Sequence, residues 1–299
     1  MERLRIGLVG GGPWARTVHA PALAAHPGVA FAGVWTRRPE PAREIVAEFG
    51  GEAFGELDRL LAEVDAVAFA VPPAVQGDLV PAVAAAGKHL ILDKPLADSL
   101  PAAERAAAAV ASAGVHSTTM FTLRFAPATR EWLAGFPAGP ADDGTTATAR
   151  WLSGATLGGP YADSSWRGER GALLDIGPHL VDLLEAALGG VVEVEWARRG
   201  DRDLWQLGMR HVGGARSTMV LTLALPVDPT EMEIAAFGTV GRHVLTSRPG
   251  DPARCYGVLL DEFLAAVAAG ETDGPYSAAR SLRLQKVLAE AEEKAASAR

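Results

Sequence analysis

Ile6-Gly7-Leu8-Val9-Gly10-Gly11-Gly12-Pro13-Trp14-Ala15 is the stretch whose reading decides the fold. Residues 4–9 carry the Ile, Leu and Val content of a strand buried on both faces. Three glycines follow, and Pro13 suits the first position of a helix, where its missing N–H costs little. A strand, a glycine turn and a helix start in that order offer a phosphate group backbone N–H donors and the positive end of a helix dipole. Gly10-x-Gly12-x-x-Ala15 fits the G-x-G-x-x-G/A dinucleotide fingerprint. Gly10 would make the tight turn, Gly12 would let the backbone approach a pyrophosphate, and Ala15 would let the helix pack closely on the sheet. Pro13 withdraws one amide from this cradle, so Gly12, Trp14 and their neighbours are expected to hold the phosphates. Trp14 either covers the cofactor or packs on the sheet.

Working outward, the fingerprint heads an alternating series. Apolar runs at 29–35, 64–71, 89–92 and 115–121 read as further strands. Helical stretches at 13–25, 40–49, 57–61, 75–86 and 101–113 separate them, with Pro21 expected to end or kink the first. Gly87 and Gly114 stand where helix C-caps belong. Strands spaced by helices of this length imply right-handed crossovers and a parallel sheet. Beyond Arg124 the pattern changes. Strands are expected at 145–152, 191–198, 204–211, 216–225 and 231–237, with helices within 171–188 and at 258–269 and 278–298. The expected fold class is therefore α/β. A Rossmann domain with a doubly wound parallel sheet spans 1–121, and an α+β domain with a large, mostly antiparallel open sheet spans 122–299.

Composition narrows the function. The 299 residues are 48% hydrophobic and 21% charged with a net charge of −8, which argues against a nucleic-acid surface. Cys255 is the single cysteine, so no internal disulfide can form and a reducing, cytoplasmic setting is expected. No run of about 18 apolar residues and no signal peptide is visible. No metal-ligand pattern stands out.

Cofactor choice is read at the end of the second strand, where an NAD site usually places Asp or Glu against the ribose hydroxyls. This chain has Val34-Trp35-Thr36-Arg37-Arg38, without an acid. Thr36, Arg37 and Arg38 can instead meet a 2′-phosphate through hydroxyl and charge-assisted contacts. NADP(H) is therefore the preferred cofactor and NAD(H) a possible one. Asp93-Lys94-Pro95 ends the fourth strand, on the side of an open α/β sheet where ligands bind. A lysine there can donate a hydrogen bond or proton to a substrate oxygen, and Asp93 can hold the ammonium in place. Further on, Asp175 and His179 lie four residues apart, with Asp182 three beyond. If a helix starts near Pro178, its dipole disfavours an imidazolium at His179, leaving a ring able to accept a proton. Asp182 is placed to orient that ring.

The glycine turn, Asp93-Lys94-Pro95 and Gly171…Asp175-x-Gly-x-His179-x-x-Asp182 together resemble the Gfo/Idh/MocA family of oxidoreductases, over essentially the whole chain. The resemblance also takes in Phe121-Thr-Leu-Arg124-Phe125-x-Pro127 and Trp166-Arg167. It implies NAD(P)-dependent hydride transfer at a carbinol or carbonyl carbon of a sugar, cyclitol or related compound. It also implies a homodimer or homotetramer built on the open sheet. Lys94 matches the family's catalytic lysine, His179 its catalytic histidine and Asp175 the aspartate that helps bind the reacting hydroxyl. Two departures stand out. Asp93 replaces the usual Glu, and Val71-Pro72-Pro73-Ala74-Val75-Gln76 replaces Thr-Pro-Pro-x-x-His, with Pro72, Gln76, Asp93 and Lys94 expected beside the cofactor. Arg124, Tyr161, Trp166 and Arg167, with Asp175 and His179, are the expected substrate contacts. Two other readings stay open: a non-catalytic dinucleotide-binding sensor, which needs neither Lys94 nor His179, and redox-assisted glycoside cleavage on the same fold.

Overall fold

In the computed structural model, six strands form a wholly parallel sheet: β1 (Leu4–Val9), β2 (Val29–Trp35), β3 (Glu52–Phe54), β4 (Ala66–Phe69), β5 (His89–Leu92) and β6 (Ser117–Thr119). Their order, β3-β2-β1-β4-β5-β6, is that of a Rossmann domain. Between them run α1 (Ala20–Ala25), α2 (Pro39–Phe49), α3 (Leu57–Glu63), α4 (Pro73–Ala85) and α5 (Leu100–Ala113). Val9, Phe69, Val80, Val83, Leu90 and Leu92 are fully buried in one cluster on this sheet. Burial stabilises each such side chain by about 1.5–3 kcal/mol. The structure describes residues 3–158, 165–246 and 251–298.

The first helix does not end at Pro21. A π-helical turn over Ala15–His19 precedes α1, with the Ala20 N–H reaching back to the Ala15 carbonyl, and Pro21 occupies the first turn of α1. There its missing N–H is tolerated, and the helix continues to Ala25. β3 has no counterpart in the sequence reading. It forms because Gly33, at φ +142°, lets the Glu52 backbone approach to where a Cβ would meet an oxygen at 2.0 Å.

The chain divides into two compact units, Met1–Thr122 with Gly250–Leu282 and Leu123–Pro249 with Arg283–Arg299. Residues 250–282, expected in the second domain, thus belong with the Rossmann sheet. Asp251 caps their helix α9 (Pro252–Ala268), accepting from the amides of Ala253 and Arg254 at 3.0 and 3.2 Å. α9 packs on α1, and the rings of Tyr256 and His19 lie 4.4 Å apart. The division falls inside α10 (Ala278–Ser297).

The second unit holds α6 (Pro127–Ala134), β7 (Thr145–Leu152), α7 (Ser165–Asp175) and α8 (Gly177–Leu188). It continues with β8 (Val191–Arg199), β9 (Trp205–His211), β10 (Arg216–Thr222), β11 (Glu231–Gly238) and β12 (His243–Leu245). The sheet order is β12-β11-β7-β10-β9-β8. Every pairing is antiparallel except β7 with β10, which is parallel. One face buries Ala147, Ala149, Trp151, Met219 and Leu221 on the side of α8. The other carries the cross-strand ion pairs Arg150–Glu233, Arg210–Glu193 and Arg216–Glu195.

The helix expected within 171–188 from near Pro178 is α8, and a second helix, α7, runs into the same stretch ahead of it. Gly171 breaks α7 with φ +70°, ψ −169°, and α8 starts anew at Gly177 with Pro178 in its first turn. A Cβ at Gly171 would fall 2.3 Å from a carboxylate oxygen of Asp203, the group that accepts from the next amide, Ala172. Gly171→Ala should therefore lower stability by about 1–3 kcal/mol through backbone strain and lost approach, read as a lower urea midpoint.

His19 gives a second measurable consequence. Its ring is wholly buried with neither nitrogen hydrogen-bonded, and burial pushes its pKa from 6.5 to about 3. The unfolded chain binds this proton near pH 6.5 and the folded one does not. The contribution is complete above that pH and is lost as pH falls toward 3, by about 1.4 kcal/mol per unit. His19→Phe should flatten the acid limb of stability against pH by one proton's slope; an unchanged limb would refute the assignment.

Candidate functional site

The glycine turn is built by close backbone approach. Gly10 donates to the Trp35 carbonyl at 3.1 Å and adopts φ +129°, and a Cβ there would lie 2.2 Å from the Ala70 carbonyl oxygen. At Gly11 a Cβ would meet Pro41 at 2.5 Å and Thr36 at 3.0 Å. The turn is thus wedged between the ends of β2 and β4. Gly12 differs: a Cβ there would meet nothing within 4 Å, and the residue is exposed. Its backbone is open to a ligand from outside. Ala15 is fully buried, Trp14 half-buried and Pro13 exposed, and the Arg16 N–H bonds the Gly12 carbonyl at 3.2 Å.

In front of the turn lies a cleft of about 270 Å³. Gly10, Gly11, Gly12, Trp35, Thr36, Arg37, Arg38, Pro41, Ala70, Val71, Pro72 and Val75 line it, without any Asp or Glu. Arg37 and Arg38 are exposed, and neither has an ion-pair partner among the described residues. The Thr36 hydroxyl donates to the Arg38 carbonyl, so its proton is committed to shaping the turn that presents the two arginines. These features fit a pyrophosphate-bearing dinucleotide: an open glycine backbone at a helix start, apolar walls, and cations where a second phosphate would lie.

Lys94 sits half-buried in the segment between β5 and α5. That segment is held from α4. The Gln76 side chain, 1% exposed, accepts from the Asp93 N–H at 2.8 Å. Its amide nitrogen lies 2.8, 3.2 and 3.0 Å from the carbonyls of Asp93, Pro95 and Leu96. The Asp93 carboxylate accepts from the Lys94 N–H at 2.8 Å. Gln76, expected as a cofactor contact, is instead committed to the lysine's own loop, because its polar atoms are buried against four backbone groups.

In the second unit, Asp175 ends α7 and His179 lies in the first turn of α8, each 7% exposed. The His179 ring stacks on Trp151 of β7, with centroids 5.9 Å apart and planes 19° from parallel. The sequence reading missed Trp151, whose only signal is its inward place in the alternation of β7. Asp182, expected to orient His179, is fully buried with the Arg124 guanidinium 3.5 Å away. Arg124, expected to touch substrate, thus serves an internal ion pair. Asp203 was also missed. From a left-handed residue between β8 and β9 its carboxylate accepts from the Ala172 amide, Arg199 Nε and Trp205 Nε1, the last two at 2.9 Å. It caps the turn leading to Asp175. Trp166 is half-buried in α7. The Arg167 side chain and Tyr161 lie outside the described residues. Among the described residues no group of three His, Cys, Asp or Glu is disposed to hold a metal, and no helix is long and apolar enough to cross a membrane.

Comparison with known proteins agrees with this architecture. Residues 4–121 match the model of the GFO_IDH_MocA oxidoreductase family, NAD-binding Rossmann fold. Galactose 1-dehydrogenase of Pseudomonas fluorescens is 35% identical over 141 residues, 45% of this chain and 43% of that protein. The chain spans about half the length of the curated relatives it matches. Among solved structures, GenD2 from gentamicin A biosynthesis in complex with NAD superposes with a TM-score of 0.84 at 22% identity, covering 100% of this chain and 96% of that one. KijD10, a 3-ketoreductase from Actinomadura kijaniata in complex with NADP, gives 0.73 at 20% identity with 98% of both chains covered. The Rossmann part of the chain, residues 4–121, thus matches the Gfo/Idh/MocA family model, and the chain as a whole shares the fold of these solved structures.

Proposed function

We propose that the chain is an NAD(P)-dependent oxidoreductase that prefers NADP(H) and acts on a carbinol or carbonyl carbon of a sugar, cyclitol or related small molecule. The observation that carries the cofactor preference is the lining of the cleft: Arg37 and Arg38 are present and no carboxylate is. A carboxylate would repel a 2′-phosphate, whereas a guanidinium meets it with two parallel hydrogen bonds. Gly12, Trp14 and the adjoining first-turn amides receive the pyrophosphate. Bound there, the nicotinamide supplies the hydride or accepts it.

The protein's part is position and proton handling. In reduction, Lys94 or His179 polarises the carbonyl and supplies the proton; in oxidation one of them removes it from the hydroxyl. General acid–base help of this kind contributes typically about 10²–10⁴-fold. His179 stands in the first turn of α8, and the buried Asp175 binds the reacting hydroxyl. Sugar chemistry is favoured by the named activity of the galactose dehydrogenase relative. Trp166 precedes Asp175 on α7 and is assigned to the substrate side. The exposed face of the second sheet, with its ladder of charged pairs, is the proposed surface of a homodimer or homotetramer, a matter light scattering decides.

Two measurements test this reading. Arg37→Ala should raise KM for NADPH at least about tenfold more than KM for NADH, the worth of a lost charge-assisted contact; equal changes would remove the NADP(H) assignment. Lys94→Ala and His179→Ala, assayed by nicotinamide absorbance against a panel of keto-sugars and aldoses, should each lower kcat by about 10²–10⁴ with NADPH affinity little changed. Near-normal turnover in both would end the catalytic assignment. Tight cofactor binding without net turnover across the panel would favour the sensor or cleavage readings.

A further inference from the structure

Residues 93–99 lie between the end of β5 at Leu92 and the start of α5 at Leu100. They carry Lys94 without a strand ladder or helix to fix them. One carboxamide, that of Gln76, reaches several of their backbone groups. Its oxygen takes the Asp93 N–H, and its nitrogen faces the carbonyls of Asp93, Pro95 and Leu96, so bonded groups lie on both sides of Lys94. The approach that makes this possible is tight. Gln76 stands in the first turn of α4, its own N–H bonded to the Pro72 carbonyl at 3.0 Å. At the next residue, Gly77, a Cβ would lie 2.7 Å from the Ala97 methyl, so α4 rests directly on the loop.

We infer that Gln76 is the positioning residue for Lys94, fixing the backbone from which the lysine reaches out. This rests on the reading of Lys94 as a proton-handling group, and it concerns the loop, not the cofactor. The residue type carries the argument. A primary amide offers two N–H donors and an acceptor at once and does not titrate. A neutral imidazole offers one donor and one acceptor and a carboxylate offers no donor, so either serves fewer of these backbone groups than a carboxamide with its two N–H groups and its oxygen. The backbone groups left without a partner would draw the loop into a new position. The glutamine therefore holds the lysine's frame identically across the pH range in which an imidazole would change charge.

The test reads Lys94 directly and needs no substrate. The protein is acylated with a water-soluble succinimidyl ester across a pH series, and the rate at each lysine is followed by peptide mass spectrometry. Lys88, Lys286 and Lys294 serve as internal references. Gln76→Leu and Gln76→Met keep the bulk and remove the hydrogen bonds. Each should change the Lys94 rate relative to the references by about tenfold, because a displaced amine meets the reagent differently, and lower kcat more than it changes KM for NADPH. Gln76→His should make the relative Lys94 rate depend on a second titration near the histidine range. A purely structural glutamine would lower the melting temperature and leave the Lys94 ratio unmoved; that result in folded Leu and Met variants overturns the proposal. Should both fail to fold, Gln76→Asn keeps the chemistry one methylene short, and an unaltered Lys94 ratio there has the same force. Wild-type turnover in Lys94→Ala would instead defeat the catalytic reading while the acylation ratio still decides the positioning.

Discussion

The carbonyl oxygen of Ala70 occupies the space a side chain would need at Gly10, where a Cβ would lie only 2.2 Å away. Much of the first unit follows from that contact. It brings the exit of β4 against the turn that leaves β1, so Ala70, Val71 and Pro72 form one wall of the cleft opposite Thr36 and Arg37. Pro72 and Pro73 then start α4 at once, because proline fits a helix start and cannot prolong a strand ladder. One turn into α4 stands Gln76, and Gln76 grips the Lys94 loop. The cofactor cleft and the lysine are thereby built from one run of chain, and a displacement at the glycine turn would be felt at the lysine.

The second unit reaches the same end by different means. Asp175 and His179 both follow the break at Gly171, and two supports fix that break. Gly171 turns the chain through a conformation that favours glycine, and Asp203 supplies a carboxylate to the exposed amide of Ala172. Asp203 is itself tied by Arg199 and Trp205, and the neighbouring Arg202 carbonyl accepts from Thr222 of β10. The flat face of Trp151 then sets the plane of the His179 ring. Rigid strands thus determine where two helix-borne groups point, which favours reactions needing a proton placed at one atom.

Much of this was legible in the sequence where the signal is local. The period of apolar residues marked β1, β2, β5 and β7 because each is a continuous buried or alternating run. Gly114 marked a helix end because its left-handed turn, at φ +62°, suits glycine. What escaped was non-local. β3 depends on backbone contact between Gly33 and Glu52, which leaves no side-chain pattern to read. The parallel pairing of β7 with β10 joins strands separated by α7, α8 and a hairpin, and α9 returns to the first unit after the chain has passed through residues 123–249 of the second. Asp203 and Trp151 carry no motif; their value lies in what they meet.

The sequence also could not tell a residue that faces a ligand from one that serves the scaffold, since both need the same polar atoms. Satisfaction of hydrogen bonds separates them. Gln76 has placed its oxygen and nitrogen on backbone groups, and Thr36 has given its proton to the Arg38 carbonyl. A buried donor committed in this way would have to break an existing bond to greet a ligand, and the gain would largely cancel. Gly12, Arg37 and Arg38 face no such exchange: the first has open space before its backbone, and the other two are exposed with no internal ion pair among the described residues. In the proposed NADP(H) reading, selectivity for a phosphorylated ribose rests on the two guanidinium groups, with Thr36 holding the turn that presents them.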